Sequence, residues 1–117
     1  MALHNELGRK GERLAGEYLS KLGYTIMFRN WRHSKYEIDV VAEKDGVLHF
    51  IEVKTRGTGN FGLPEESVNK HKLRSMIGAG ERFLELHPRF KRIQFDVLAI
   101  SIVDKEVRYF LIEDVYL

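Results

Sequence analysis

Asp45-Gly46 is the feature that most narrows what this chain can fold into. Both residues tolerate positive φ, and such a pair between two apolar runs signals a β-hairpin with a two-residue turn. The flanking runs, Glu37 to Lys44 and Val47 to Thr55, read as its strands. Pairing Lys44 with Val47 and counting outward sets Asp39 directly opposite Glu52, and Glu37 opposite Lys54. Opposed residues of an antiparallel pair hold their Cβ atoms about 4.5–5.5 Å apart, so like charges there destabilise the pairing. Facing carboxylates are tolerated when a cation binds between them. Mg2+, which takes one or two carboxylates plus waters and phosphate oxygens, is the natural candidate. Lys54, two residues beyond Glu52, shares its face, where an ammonium can stabilise developing negative charge or orient an attacking water. The set suits phosphodiester hydrolysis assisted by Mg2+ or Mn2+. The inference depends on register, since a turn one residue longer or shorter puts the acids on opposite faces. Spacing alone also leaves open a plainer reading, polar residues on the solvated face of an antiparallel sheet. Leu48 and Phe50, on the side of Glu52, count against a uniformly wet face.

The rest of the chain supplies what packs around the hairpin. Leu7, Gly11, Leu14, Ala15, Tyr18 and Leu22 recur at helical spacing and predict a helix over Asn5–Leu22, stopped by Gly23. Tyr24–Phe28 is a short strand, followed by a basic stretch with Arg29, Arg32, His33 and Lys35 around Trp31. Basic groups beside an aromatic suit backbone contact and base stacking, although a tryptophan is more often a core or edge residue. Arg56 to Pro64 holds three glycines and no apolar period, and reads as a mobile loop. It either closes over a substrate or merely connects. A second helix spans Asn69–Leu86, with Leu73, Met76, Ile77, Gly80, Phe83, Leu84 and His87 on one stripe, and Pro88 ends it. Ile93–Val103 and Val107–Ile112 are strands joined at Asp104-Lys105. The order αβββαββ predicts a single α/β domain over residues 1–117 with a mixed sheet.

Composition adds bounds. The chain is 44% apolar and 31% charged, ordinary for a globular protein, and its net charge of +2 permits an anionic partner without requiring one. With no cysteine there is neither a disulfide framework nor a thiolate metal site. No stretch suits a signal peptide or a membrane span, so a cytoplasmic setting is the default expectation. Lys70, His71, Lys72 and Arg74 crowd the start of the second helix, where cations oppose the helix dipole and an anion such as phosphate is favoured. A solvated basic face is the alternative. Glu12 stands one step off the buried face of the first helix, placed to lean over the sheet edge toward a metal or to pair with an arginine. Gly8 and Gly11 each lower helix propensity by ~1 kcal/mol, which points to close packing. Asp96 interrupts an apolar strand and either supports the site or holds a strand end. His87 is read as structural.

Several motifs lie in one order: Gly8-x-x-Gly-Glu-x-x-Ala, Glu37-Ile-Asp-Val-Val, Phe50-Ile-Glu-Val-Lys-Thr-Arg, Phe61-Gly-x-Pro-x-x-Ser67-Val with Lys72, and Gln94-Phe-Asp-Val. Over nearly the whole chain this resembles the bacterial YraN-like family, UPF0102. That family is similar to archaeal Holliday junction resolvases and to the PD-(D/E)xK nuclease superfamily. The resemblance implies a restriction-endonuclease-like core, a mixed central sheet flanked by helices. It implies a divalent-metal-dependent endonuclease acting on DNA, with branched or structured DNA as one candidate substrate. By the same likeness Asp39 and Glu52 hold Mg2+ or Mn2+, Lys54 is the catalytic lysine, and Glu12 matches the helix acid of resolvases. Lys72, Lys70, Arg56 and Arg32 are the candidate contacts to nucleic acid. A homodimer is implied only by analogy with resolvases. The family usually has glycine where this chain has Tyr36. Two other classes remain open: a nucleic-acid-binding module that keeps the nuclease scaffold without turnover, and a protein-interaction domain.

Overall fold

The computed structural model describes residues 2–57 and 70–115, with side chains from residue 6 onward. The expected loop from Arg56 to Pro64, and the Phe61–Val68 motif, fall largely outside them. Seven elements follow in the expected order: α1 (Ala2–Lys21), β1 (Thr25–His33), β2 (Tyr36–Lys44), β3 (Val47–Arg56), α2 (Lys70–Leu86), β4 (Ile93–Val103) and β5 (Glu106–Ile112). The strands form one sheet in the order β1-β2-β3-β4-β5. β3 and β4 run parallel and all other neighbours antiparallel. A parallel neighbour needs a crossover, and α2 lies in it. The two helices cover opposite faces, each over its own apolar cluster. Leu73, Met76, Ala79 and Phe83 of α2 pack on Ile38, Val41, Leu48, Phe50, Phe95 and Val97, while Ala15 and Leu19 of α1 pack on Val40, Ala42, Ile51, Leu98, Ile100 and Ile102. This is a mixed α/β single domain consistent with a restriction-endonuclease-like core. No helix among the described residues is long and apolar enough to cross a membrane.

The central turn forms as counted. Lys44 pairs with Val47, and Asp45 and Gly46 take φ of 52° and 79°, the left-handed pair that matches strand twist. Gly23 (φ 97°) closes α1: its N–H donates to the Ser20 carbonyl and that of Tyr24 to the Leu19 carbonyl, both bonds of a Schellman motif.

Three expectations need correction. The basic stretch after Phe28 is strand, because β1 continues to His33 and turns only at Ser34-Lys35. A register shift between Ile26 and Phe28 and a positive φ of 52° at Asn30 break the period of two that would have revealed it. Leu22 is 39% exposed, and Leu19 with Gly16 fills the buried face of α1 instead, since the Schellman turn lifts the last residue away from the sheet. The pairing of β2 with β3 also ends at Val40↔Ile51, so neither Asp39↔Glu52 nor Glu37↔Lys54 is a ladder pair.

The two helix glycines behave differently. A Cβ on Gly11 would collide with the Thr55 hydroxyl and lie 2.8 Å from Thr55 Cβ, whereas one on Gly8 would meet no described residue within 4 Å. Gly11→Ala should therefore destabilise by about 1–3 kcal/mol through overpacking, despite its better helix propensity. Gly8→Ala should be neutral or stabilising by up to ~1 kcal/mol. Urea midpoints of the two variants check this, and equal shifts would refute it. Tyr36 finds its room at Gly78 of α2, where a Cβ would come within 2.6 Å of the Tyr36 ring.

Candidate functional site

The site forms where β2 and β3 part. Beyond Val40↔Ile51 a regular hairpin would next bond the Val53 amide to β2 through the Ile38 carbonyl. Here that N–H donates to Asp39 Oδ2 at 2.8 Å instead. The break coincides with a change of facing. Val40 packs in the cluster under α1 and Ile38 in the cluster under α2, although plain alternation would put them together. The neighbouring strand does the same: Arg29 Nη1 donates to the Glu12 carbonyl of α1 at 3.2 Å, while Trp31 packs on Phe83 of α2. Asn30, with its positive φ, lies between them. Asp39 thus sits at a local irregularity that turns its carboxylate toward β3.

Glu52 is 7% exposed, on the α2 side of β3. Val53 belongs to the α1-side cluster and Thr55 abuts Gly11 of α1, so Glu52 and Lys54 alternate onto the opposite face. Burial pushes the Glu52 carboxyl up to about 7. The neighbouring charge of Asp39 and a hydrogen bond shared with it push the same way, and Lys72 pulls it part of the way back. Lys72 Nζ reaches Glu52 Oε2 at 3.4 Å. A carboxyl raised by burial and by a second carboxyl marks a candidate functional site.

The structure brings some of the expected residues together and not others. Asp39, Glu52 and Lys72 converge. Lys54 is exposed beside them, with no hydrogen bond or ion pair to a described residue. Glu12 is exposed and lines, with Leu7, Gly8, Asp39, Val53 and Thr55, a cavity of about 210 Å³. Its carboxylate does not join a ligand cluster: among the described residues no three His, Cys, Asp or Glu side chains come together as a metal site. Lys70 is exposed at the start of α2 and Arg56 is half-buried at the end of β3. Arg32 lies on edge strand β1, bonded through Nε to Glu37 at 2.9 Å. Two oxygen donors side by side fit a hard divalent cation, which needs few protein ligands when water and phosphate complete its shell.

A polar cluster that sequence reading underrated lies on the α1 face. Asp96 is fully buried, with Oδ2 2.7 Å from His49 Nδ1 and with Oδ1 accepting from Gln94 Nε2 at 2.8 Å and from the Asp114 amide at 2.9 Å. The Tyr24 ring meets His49 edge-on at 4.9 Å. Its hydroxyl is pushed up to about 12 by burial and then by the charges of Asp96 and Glu113. His49 alternates with apolar residues and is a histidine in a strand, the one sequence signal that could have been paired with Asp96. This cluster holds strand ends together, one of the two roles expected for Asp96. His87, stacked on Phe83 at 4.3 Å, is structural as expected.

Comparison with known proteins gives one consistent picture. The model of the uncharacterised protein family UPF0102 matches residues 11–100, a span that includes Glu12, Asp39, Glu52, Lys54, Lys72 and Asp96. A UPF0102 protein of Flavobacterium psychrophilum is 37% identical over 116 residues, covering 99% of this chain and 98% of its own. One from Syntrophomonas wolfei is 45% identical over 104 residues, 87% of this chain and 90% of that one. One from Chlorobium limicola is 44% identical over 113 residues, with 93% and 88% covered.

Proposed function

We propose that this chain, which belongs to the UPF0102 family, is a divalent-metal-dependent endonuclease that hydrolyses phosphodiester bonds in DNA, with branched or otherwise structured DNA as one candidate substrate. The observation that carries the reading is the buried Glu52 carboxyl held against Asp39 at the point where two strands separate. A buried carboxyl beside a second one is costly while both are ionised, and a cation bound between them would offset that cost.

In this reading Asp39 and Glu52 would hold Mg2+ or Mn2+. The ion, when bound, lowers the pKa of a water and offsets charge on the reacting phosphate. The Val53 amide fixes Asp39 through Oδ2, which holds its carboxylate beside Glu52. Lys54 stands exposed on the face of Glu52, where its ammonium meets the phosphate oxygens and orients the incoming water. Lys72 pairs with Glu52, and with Lys70 and Arg56 it would supply cations to the DNA backbone. Glu12 borders the cavity on the α1 side and acts on water there rather than as a direct ligand. Arg32, already paired with Glu37, contributes least.

Parent protein and Glu52→Ala are each incubated with branched and linear DNA in Mn2+. The parent should cut and the variant should lose at least ~100-fold, the usual scale for removing a group that acts on the transition state. Equal cleavage by both, or none by either on any substrate, would overturn the reading. One observation favours a second reading, a nucleic-acid-binding module without turnover: Lys72 already supplies Glu52 with a counter-charge. That module would bind DNA in a salt-sensitive, metal-independent way and cut nothing.

A further inference from the structure

The face that carries Glu52 and Lys54 has an aromatic border on edge strand β1. Trp31 is the cross-strand partner of Ile38, the residue immediately before Asp39. Its ring is set edge-on against Phe83, centroids 5.3 Å apart and planes at 73°, which fixes it from the core side. His33, the next residue on that side of the strand, is exposed and lies parallel to Trp31, 13° between planes and 6.1 Å between centroids. Packing accounts for the inner edge of Trp31. It does not account for His33, which adds a second ring plane outside the core and makes no hydrogen bond or ion pair with a carboxylate among the described residues. Arg32 and Lys35, both exposed, flank His33 at the turn.

We infer that Trp31 and His33 form a stacking shelf for an unpaired base beside the candidate site at Asp39, Glu52 and Lys54. The inference rests on the nuclease reading and deepens it by naming the substrate class. Stacking on an aromatic side chain needs a free base face. A continuous duplex hides both faces of every base in its own stack, so a shelf of this kind selects single strands, flaps, junctions or flipped-out bases. A ring held in place by Phe83 loses little freedom on binding, which favours its use as an anchor. The exposed Lys35 at the turn suits a phosphate beside the stacked base.

Trp31 is the sole tryptophan, so its emission reports the shelf directly. The whole protein is titrated in EDTA, which prevents cleavage, with an oligodeoxythymidine single strand and with a blunt duplex of the same length. Binding is followed in parallel by anisotropy of end-labelled DNA. The single strand should quench Trp31 saturably and the duplex should not. His33→Ala, at an exposed position, should weaken single-strand binding roughly tenfold and leave duplex binding unchanged. Trp31→Phe, which keeps a ring against Phe83, should weaken it less. The shelf is refuted if the single strand fails to bind, if it binds without changing Trp31 emission, if duplex quenches equally, or if His33→Ala binds as the parent does. Each of these results leaves the Mn2+-dependent loss of cleavage in Glu52→Ala to be judged on its own.

Discussion

Glu52→Gln should make the metal-free protein more stable at pH 8, and the gain should vanish near pH 5. The Glu52 carboxyl is displaced upward in the folded protein, from 4.5 to about 7, chiefly by burial and then by Asp39. A group raised in this way favours folding fully below its unfolded value, and that contribution is lost as pH rises through the folded one. The window is therefore about 4.5 to 7. Above it the parent carries a buried charge beside a second carboxylate, and glutamine mimics the protonated form at every pH. A displacement of this size corresponds to about 1–3 kcal/mol. Added Mn2+ should reverse the order, because a cation that binds only the folded parent stabilises it by ~2.7 kcal/mol at a hundredfold excess over Kd. Thermal melts of both proteins at pH 5 and pH 8, with EDTA and with Mn2+, measure all four corners. A variant that melts below the parent at pH 8 in EDTA, or a difference indifferent to pH, would show that Glu52 is not held as described.

The hairpin count reached the right neighbourhood by a partly wrong route. Asp45-Gly46 sets the register of the inner hairpin, and that much follows from local backbone preference. The two acids do meet, but through an interrupted ladder rather than a continued one, with Asp39 bonded to the Val53 amide. Nothing local to Asp39 announces this. The interruption depends on Asn30 in the neighbouring strand, on Arg29 reaching α1 and on Trp31 reaching α2, contacts between elements far apart in sequence. The same holds for β1, whose alternation is broken by its register shift and so resembles a loop. Lys72 was legible as a cation near a helix start, yet its reach to Glu52 needs the crossover that lays α2 over β2 and β3. Long periodic segments such as α2 and β4 were legible to within a residue because their burial pattern is regular along the whole element.

Asp96→Ala should produce the largest loss of stability among the polar positions, about 3–5 kcal/mol. Against a total of ~5–15 kcal/mol for such a domain, that is a large fraction. The side chain is fully buried and accepts from three donors on three segments: His49 on β3, Gln94 on β4 itself, and the Asp114 amide after β5. An ionised carboxylate only accepts, and the tautomer of His49 that pairs with it donates through Nδ1. Alanine leaves that N–H and the Asp114 amide without their acceptor, and the desolvation penalty of each is then uncompensated. Asp96→Asn retains one oxygen and should lose less, about 1–2 kcal/mol. A double-mutant cycle with His49→Leu should show coupling above ~1 kcal/mol, since removing both partners avoids the orphaned group. Urea unfolding supplies every term, and a cycle without coupling, or an alanine variant within ~1 kcal/mol of the parent, would sink the assignment. The effect should reach the candidate site. Asp96 stands in parallel register with Ile51, the residue before Glu52, so the cluster anchors β3 just where its other neighbour, β2, begins to peel away. Glu52 can be held buried at an open seam because β4 fixes its strand from the other side.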